Sequence, residues 1–183
     1  MDLAKIDEFL GNIKFDNFYL EATFQFKLLM QFAKIYNEDS IFPERNIGYY
    51  RLNQKTFSKK EVDIIIEQGN NLPIAFELKM PMNGQVPEQM YKFVEDIVFL
   101  EELKASLLFG KCYLITVTND SNFWQGSKSD GIYAPFRNGV PLKGKIYKPT
   151  GNEKNKSFHQ ISGEYHIAWN TLSNSFRYFA LEV

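Results

Sequence analysis

Val62-Asp63-Ile64-Ile65-Ile66-Glu67-Gln68-Gly69-Asn70-Asn71-Leu72-Pro73-Ile74-Ala75-Phe76-Glu77-Leu78-Lys79 is the stretch on which the fold turns. Two β-branched, apolar-rich runs flank a Gly-Asn-Asn break, the pattern of a β-hairpin. Side chains alternate between the faces of a strand. Val62, Ile64 and Ile66 therefore share one side, as do Ile74, Phe76 and Leu78. Asp63 falls on the opposite side with Ile65, and Glu77 with Ala75 and Lys79. A three-residue loop, Gly69–Asn71, pairs Gln68 with Leu72 and sets Asp63 directly across from Glu77. The β-carbons of such a pair lie about 4.5–5.5 Å apart.

Facing carboxylates repel unless a cation compensates. Mg²⁺ does so with one or two carboxylates, keeps several waters and recruits phosphate oxygens. It also acidifies a bound water and neutralises charge on a phosphoryl group. An ammonium at Lys79, on the same face, stands where it orients that water or stabilises the transition state. The competing reading is a solvated sheet face with an ordinary Glu77–Lys79 pair.

Upstream, a helix is expected over about 17–37, capped by Asp16 or Asn17. Its apolar stripe is Phe18, Ala22, Leu29, Ala33 and Tyr36, widened by Phe26 and Phe32. A strand is expected around Ile47–Leu52. Downstream, Pro87 suits the first turn of a helix reaching about Leu108. Its buried side is Met90, Phe93, Val94, Ile97, Leu100 and Leu108, and Gly110 is its stop. A strand follows at Cys112–Thr118. Residues 119–162 read as loops and short strands, and strand character returns at Tyr165–Trp169 and Phe176–Val183. The expectation is a single 1–183 domain of the α/β class, with a core over about 17–118 and a loop-rich extension over 119–183.

Asp63, thirteen residues, then Glu77-Leu78-Lys79 on the next strand resembles the PD-(D/E)XK nuclease superfamily. The likeness spans about Asn17 to Thr118, with Val62 where the name-giving proline would stand. It implies a restriction-endonuclease-like αβββαβ core with a mixed β-sheet flanked by helices. It also implies Mg²⁺-dependent hydrolysis of DNA, with Mn²⁺ as a substitute, by a restriction-type or defence endonuclease. By the same likeness Asp63 and Glu77 are metal ligands and Lys79 the catalytic lysine. Glu21 is a candidate third carboxylate from the first core helix, with Glu44 a weaker substitute. A catalytically inactive nucleic-acid-binding or protein-interaction module on this fold is the alternative, as is an RNase or structure-specific resolvase. A double-strand cut by so small a domain suggests a homodimer, and two sequential nicks by a monomer would serve as well.

Composition sets wider bounds. The 183-residue chain is 44% hydrophobic and 23% charged, a globular balance. Its net charge of −1 is unevenly spread: residues 123–158 carry +5 and residues 88–104 carry −3. Lys59 and Lys60, before the Asp63 strand, and Lys143, Lys145 and Lys148 are candidate backbone contacts for double-stranded DNA. Phe123, Trp124, Tyr133 and Tyr147 interleave with the later lysines, either stacking on bases or anchoring a loop to the core. The one cysteine, Cys112, excludes an internal disulfide and reads as a buried thiol. Neither a secretory signal nor a membrane span is legible, so a cytoplasmic location is expected. P-loop, dinucleotide-binding and serine-nucleophile signatures are missing.

Overall fold

The computed structural model describes residues 1–15, 20–82, 84–173 and 175–183. Its elements run α1 (Leu3–Gly11), α2 (Glu21–Phe32), β1 (Ile41–Asn46), β2 (Glu61–Gln68), β3 (Asn71–Lys79), α3 (Val86–Ala105) and β4 (Lys111–Thr118). There follow α4 (Tyr133–Arg137), β5 (Leu142–Tyr147), β6 (Phe158–Tyr165), β7 (Asn170–Thr171) and β8 (Arg177–Glu182). Six strands form one sheet in the order β1-β2-β3-β4-β8-β7, and β5 pairs with β6 separately. Among the described residues only β3 and β4 run parallel, joined through α3, so the sheet is mixed and the chain is α/β. No described helix is long and apolar enough to cross a membrane.

The hairpin forms where the sequence places it, with a different turn. Gln68 pairs with Asn71, so the turn is the two residues Gly69 and Asn70 rather than three. Gly69 supplies the left-handed backbone at φ 60° that a tight turn needs. A bulge then restores the register: Leu72 and Pro73 together oppose Glu67, and Ile66 pairs with Ile74. Proline, lacking an amide donor, is tolerated at such a bulge. Carried on from Ile64↔Phe76, the register sets Asp63 opposite Glu77, as the alternation requires.

Apolar residues cover both faces of the sheet. Ile64, Ile66, Phe76 and Leu78 pack with α1 and α2, whereas Ile65, Ala75, Cys112 and Leu114 pack with α3. Val62 departs from strict alternation, joining the α3 side rather than that of Ile64 and Ile66. Cys112 is fully buried, which pushes its thiol up to about 12.

Four elements differ from expectation. α2 begins at Glu21 with Leu20 as its N-cap, and the expected caps Asp16 and Asn17, like Phe18, lie outside the described residues. Its buried face is Phe24, Leu28, Gln31 and Phe32, while Phe26 is 59% exposed. The expected strand Ile47–Leu52 is instead a 3₁₀ turn at Ile47–Tyr50, because the Asn46 side chain accepts the Gly48 amide at 2.8 Å and starts it. The strand itself is β1, six residues earlier, an edge strand where Pro43 is harmless. α3 ends at Ala105; Leu107 turns left-handed, and Leu108 is 40% exposed rather than buried. Near the end, β6 stops at Tyr165, where the expected strand Tyr165–Trp169 begins.

Candidate active site

The end of the hairpin meets the middle of α3. Glu77 is fully buried, and Asp96, projecting from α3, is 1% exposed. Burying a carboxylate is costly unless it is paired. Lys59, in the loop before β2, donates to Glu77 Oε2 and, at 2.9 Å, to Asp96 Oδ1. Lys79 Nζ lies 3.4 Å from Asp96 Oδ2 and 3.9 Å from Glu21 Oε1, and it donates to the Leu78 carbonyl at 2.9 Å. Asp63 Oδ2 accepts the Leu78 amide at 2.7 Å. Glu21 Oε2 accepts the Met80 amide at 2.7 Å, which fixes its second oxygen toward Lys79.

A further carboxylate, Glu44, reaches this edge through Gln25. Its amide donates to Glu44 Oε1 at 2.7 Å and to the Asp63 carbonyl at 2.8 Å. Glu44 adopts φ 49° within β1, an unusual backbone for a side chain of this size. It stands next to the site without touching Lys79 or Glu77 in any recorded hydrogen bond or ion pair among the described residues.

The electrostatics follow from this crowding. Burial pushes the Glu77 carboxyl well above its ordinary value, and the neighbouring Asp63 and Asp96 push the same way against Lys59. Burial also raises Asp63, with Lys79 and the Leu78 amide opposing. For Lys79, burial favours loss of the proton, but Asp96, Glu21 and Asp63 outweigh it, so its ammonium is held more firmly than usual. Lys59 shifts upward for the same reason, burial being outweighed by Glu77 and Asp96.

Among the described residues, Glu77 Oε1 is buried without a hydrogen-bond partner. The buried Thr116 hydroxyl, beside Lys79 in the β3–β4 register, is likewise unpartnered. No group of three or more His, Cys, Asp or Glu side chains forms a metal cage among the described residues. A cation seated here would have to be one that needs few protein ligands. Mg²⁺, taking one or two carboxylates and several waters, is of that kind. Asp63 and the bare oxygen of Glu77 would be its ligands.

The structure thus gathers Asp63, Glu77, Lys79 and Glu21 at one place. Lys59, expected as a backbone contact, is here a partner of Glu77 and Asp96. The remaining expected cations stand apart: Lys60 is exposed beside Lys55, and Lys143 is paired with Glu164 at 2.9 Å. Lys145 lies over the Phe158 ring at 4.6 Å, and the Lys148 amide donates to the Ser157 carbonyl. Asp96 escaped sequence reasoning. Its one local signal is its place among Phe93, Ile97 and Leu100, on the buried side of α3. The aromatics divide: Phe123 is buried against Phe93 and Trp124 packs on Trp169, whereas Tyr147 is 46% exposed.

Comparison with protein-family models, curated proteins and solved structures finds no match.

Proposed function

We propose that the protein is a metal-dependent phosphodiesterase of the restriction-endonuclease-like type, a nuclease acting on DNA. One observation carries the reading: a buried glutamate with one bare carboxylate oxygen, set across a hairpin from an aspartate and two residues from a firmly protonated lysine. Buried charge clusters are poor sources of stability, and groups perturbed by burial and specific charged partners gather at functional sites. The order α2-β1-β2-β3-α3-β4 agrees with the αβββαβ core that the resemblance implies.

A bound Mg²⁺ or Mn²⁺ would supply an acidified water and neutralise charge at phosphorus. Asp63 and Glu77 would hold the cation. Lys79 keeps its proton at this site, so it acts as a hydrogen-bond donor and positive charge toward the developing phosphorane oxygens. Asp96 and Glu21 position that ammonium from two sides. Lys59, on the other oxygen of Glu77, holds a positive charge beside that cation seat.

That last contact favours a second reading, a site retained as an internal ion-pair network on a non-cleaving, nucleic-acid-binding fold. Plasmid cleavage in Mg²⁺, Mn²⁺ and Ca²⁺, beside Glu77→Ala and Lys79→Ala, separates the two. Cutting in Mg²⁺ or Mn²⁺ that both variants lose supports the nuclease. Intact plasmid from folded wild-type protein in every metal supports the second reading. Cutting retained by Lys79→Ala removes the assigned role of Lys79.

A further inference from the structure

A concavity of the molecule lies away from the charge cluster. It encloses about 600 Å³ where α4, β5 and the loop after β5 meet the start of α3. That is within the range of ligand-binding clefts. Tyr133, Ile146, Tyr147 and Pro87 form apolar walls, and Lys128, Lys145 and Lys154 bring three ammonium groups against the single carboxylate of Asp130. No ion pair engages those three lysines among the described residues. All three lysines are exposed, and like charges around one concavity set up a positive potential that favours an anion.

The aromatic content says which anion. Tyr147 and Phe158 present 46% and 43% of their surface to solvent, with ring centroids 5.6 Å apart and Lys145 above Phe158. Exposed rings beside ammonium groups suit a ligand that carries both a phosphate and a flat base. Bases within a duplex are stacked on one another and offer no free face, whereas a single strand does.

We infer that this cleft holds a nucleotide unit of a single nucleic-acid strand, its phosphate among Lys128, Lys145 and Lys154 and its base against Tyr147. The direction of that strand rests on the proposed nuclease function. Pro87, at the cleft, precedes Asp96 by nine residues on α3. At the rise of an α-helix this is about 14 Å along the axis, the reach of a few nucleotides of an extended strand. The cleft therefore grips substrate a few nucleotides from the cleaved bond and selects single-stranded or frayed ends.

The test is fluorescence anisotropy in chelator, where nothing is cut, with labelled oligothymidylate of about twelve nucleotides, the matching duplex, and free thymidine monophosphate as competitor. Wild type should bind the strand more tightly than the duplex. Lys128→Ala/Lys145→Ala/Lys154→Ala, shown folded by its thermal melt, should bind at least tenfold more weakly. Its slope of log affinity against log salt should fall by about two, at about 0.7 per lost phosphate contact. Tyr147→Ala should weaken the strand while leaving the salt slope unchanged. Equal strand binding by the folded triple variant overturns the inference, as does tighter binding of duplex. Monophosphate competing as well as the strand assigns the cleft to a free nucleotide and overturns the strand. Strand binding that depends on the three lysines, without cleavage in any metal, sinks the nuclease and leaves the cleft standing. Cleavage with unchanged strand binding in the triple variant sinks the cleft alone.

Discussion

Glu77 and Lys59 form the contact on which the chemistry turns. Lys59→Met would leave Glu77 and Asp96 facing each other in a site from which water is largely excluded. Breaking a buried pair costs about 3–5 kcal/mol, and the lower end is expected because Glu77 can take up a proton instead. The variant should melt lower than wild type in chelator and regain most of the loss in millimolar Mg²⁺, since a cation binding only the folded state stabilises it. No recovery in Mg²⁺ would remove Asp63 and Glu77 as a cation seat. Glu77 also sets a pH dependence. The unfolded chain releases its proton near 4.5, the folded chain only at higher pH. Between those values the folded state binds more protons, so stability falls as pH rises. Asp63 shifts in the same direction from 3.8. The raised Lys59 and Lys79 keep their contribution up to their ordinary value of 10.5 and lose it only above, outside this window. Glu77→Gln should therefore flatten the decline of melting temperature with pH in chelator; an unchanged slope would assign it to other groups. Lys79→Ala should stay folded and lose about two to three orders of magnitude in cleavage rate, the usual scale for removing one transition-state donor.

At the scale of elements, α2 shows where sequence patterns mislead. Phe24, Leu28 and Phe32 recur every four residues along its buried face, with the Phe32 ring tilted against Phe76 at 4.8 Å and edge-on to Phe9 at 5.7 Å. Phe32→Ala should cost about 3–5 kcal/mol in urea unfolding. Phe26→Ala, on the exposed side, should stay within about 0.5 kcal/mol. Equal costs would contradict this orientation of the helix. The apolar residues of α2 surround it almost completely, so periodicity alone cannot choose between faces. The hairpin was legible because both strands alternate and bracket a turn. β4 was legible as a continuous apolar run, as befits a strand buried on both faces. Ile47–Leu52 was not, since its apolar composition suits a strand and the Asn46 side chain decides otherwise. The site divides along the same line. Asp63, Glu77 and Lys79 are set by local alternation. Lys59 reaches Asp96 because Asp96, Phe99 and Glu102, spaced by three on α3, receive Lys59, Phe57 and Ser58 in turn. That match spans 37–44 residues of chain and leaves no local trace.

For the molecule as a whole, the sheet is a wall shared by two apolar cores. Ile64, Ile66, Phe76 and Leu78 serve the side of α1 and α2, and Ile65 and Ala75 serve that of α3. A slip of one residue would exchange every side chain across that wall. Deleting Asn70 should therefore abolish cooperative unfolding and cleavage together, whereas Asn70→Gly should change stability by less than about 1 kcal/mol. A well-folded deletion variant would show that the register is held elsewhere. The bulge at Leu72 and Pro73 gives this a wider meaning, because its extra residue offsets the one-residue shift that a two-residue turn leaves. In the descent of such a chain, letters at the tip of the hairpin are free to drift, but an insertion or deletion survives only when a second one compensates it.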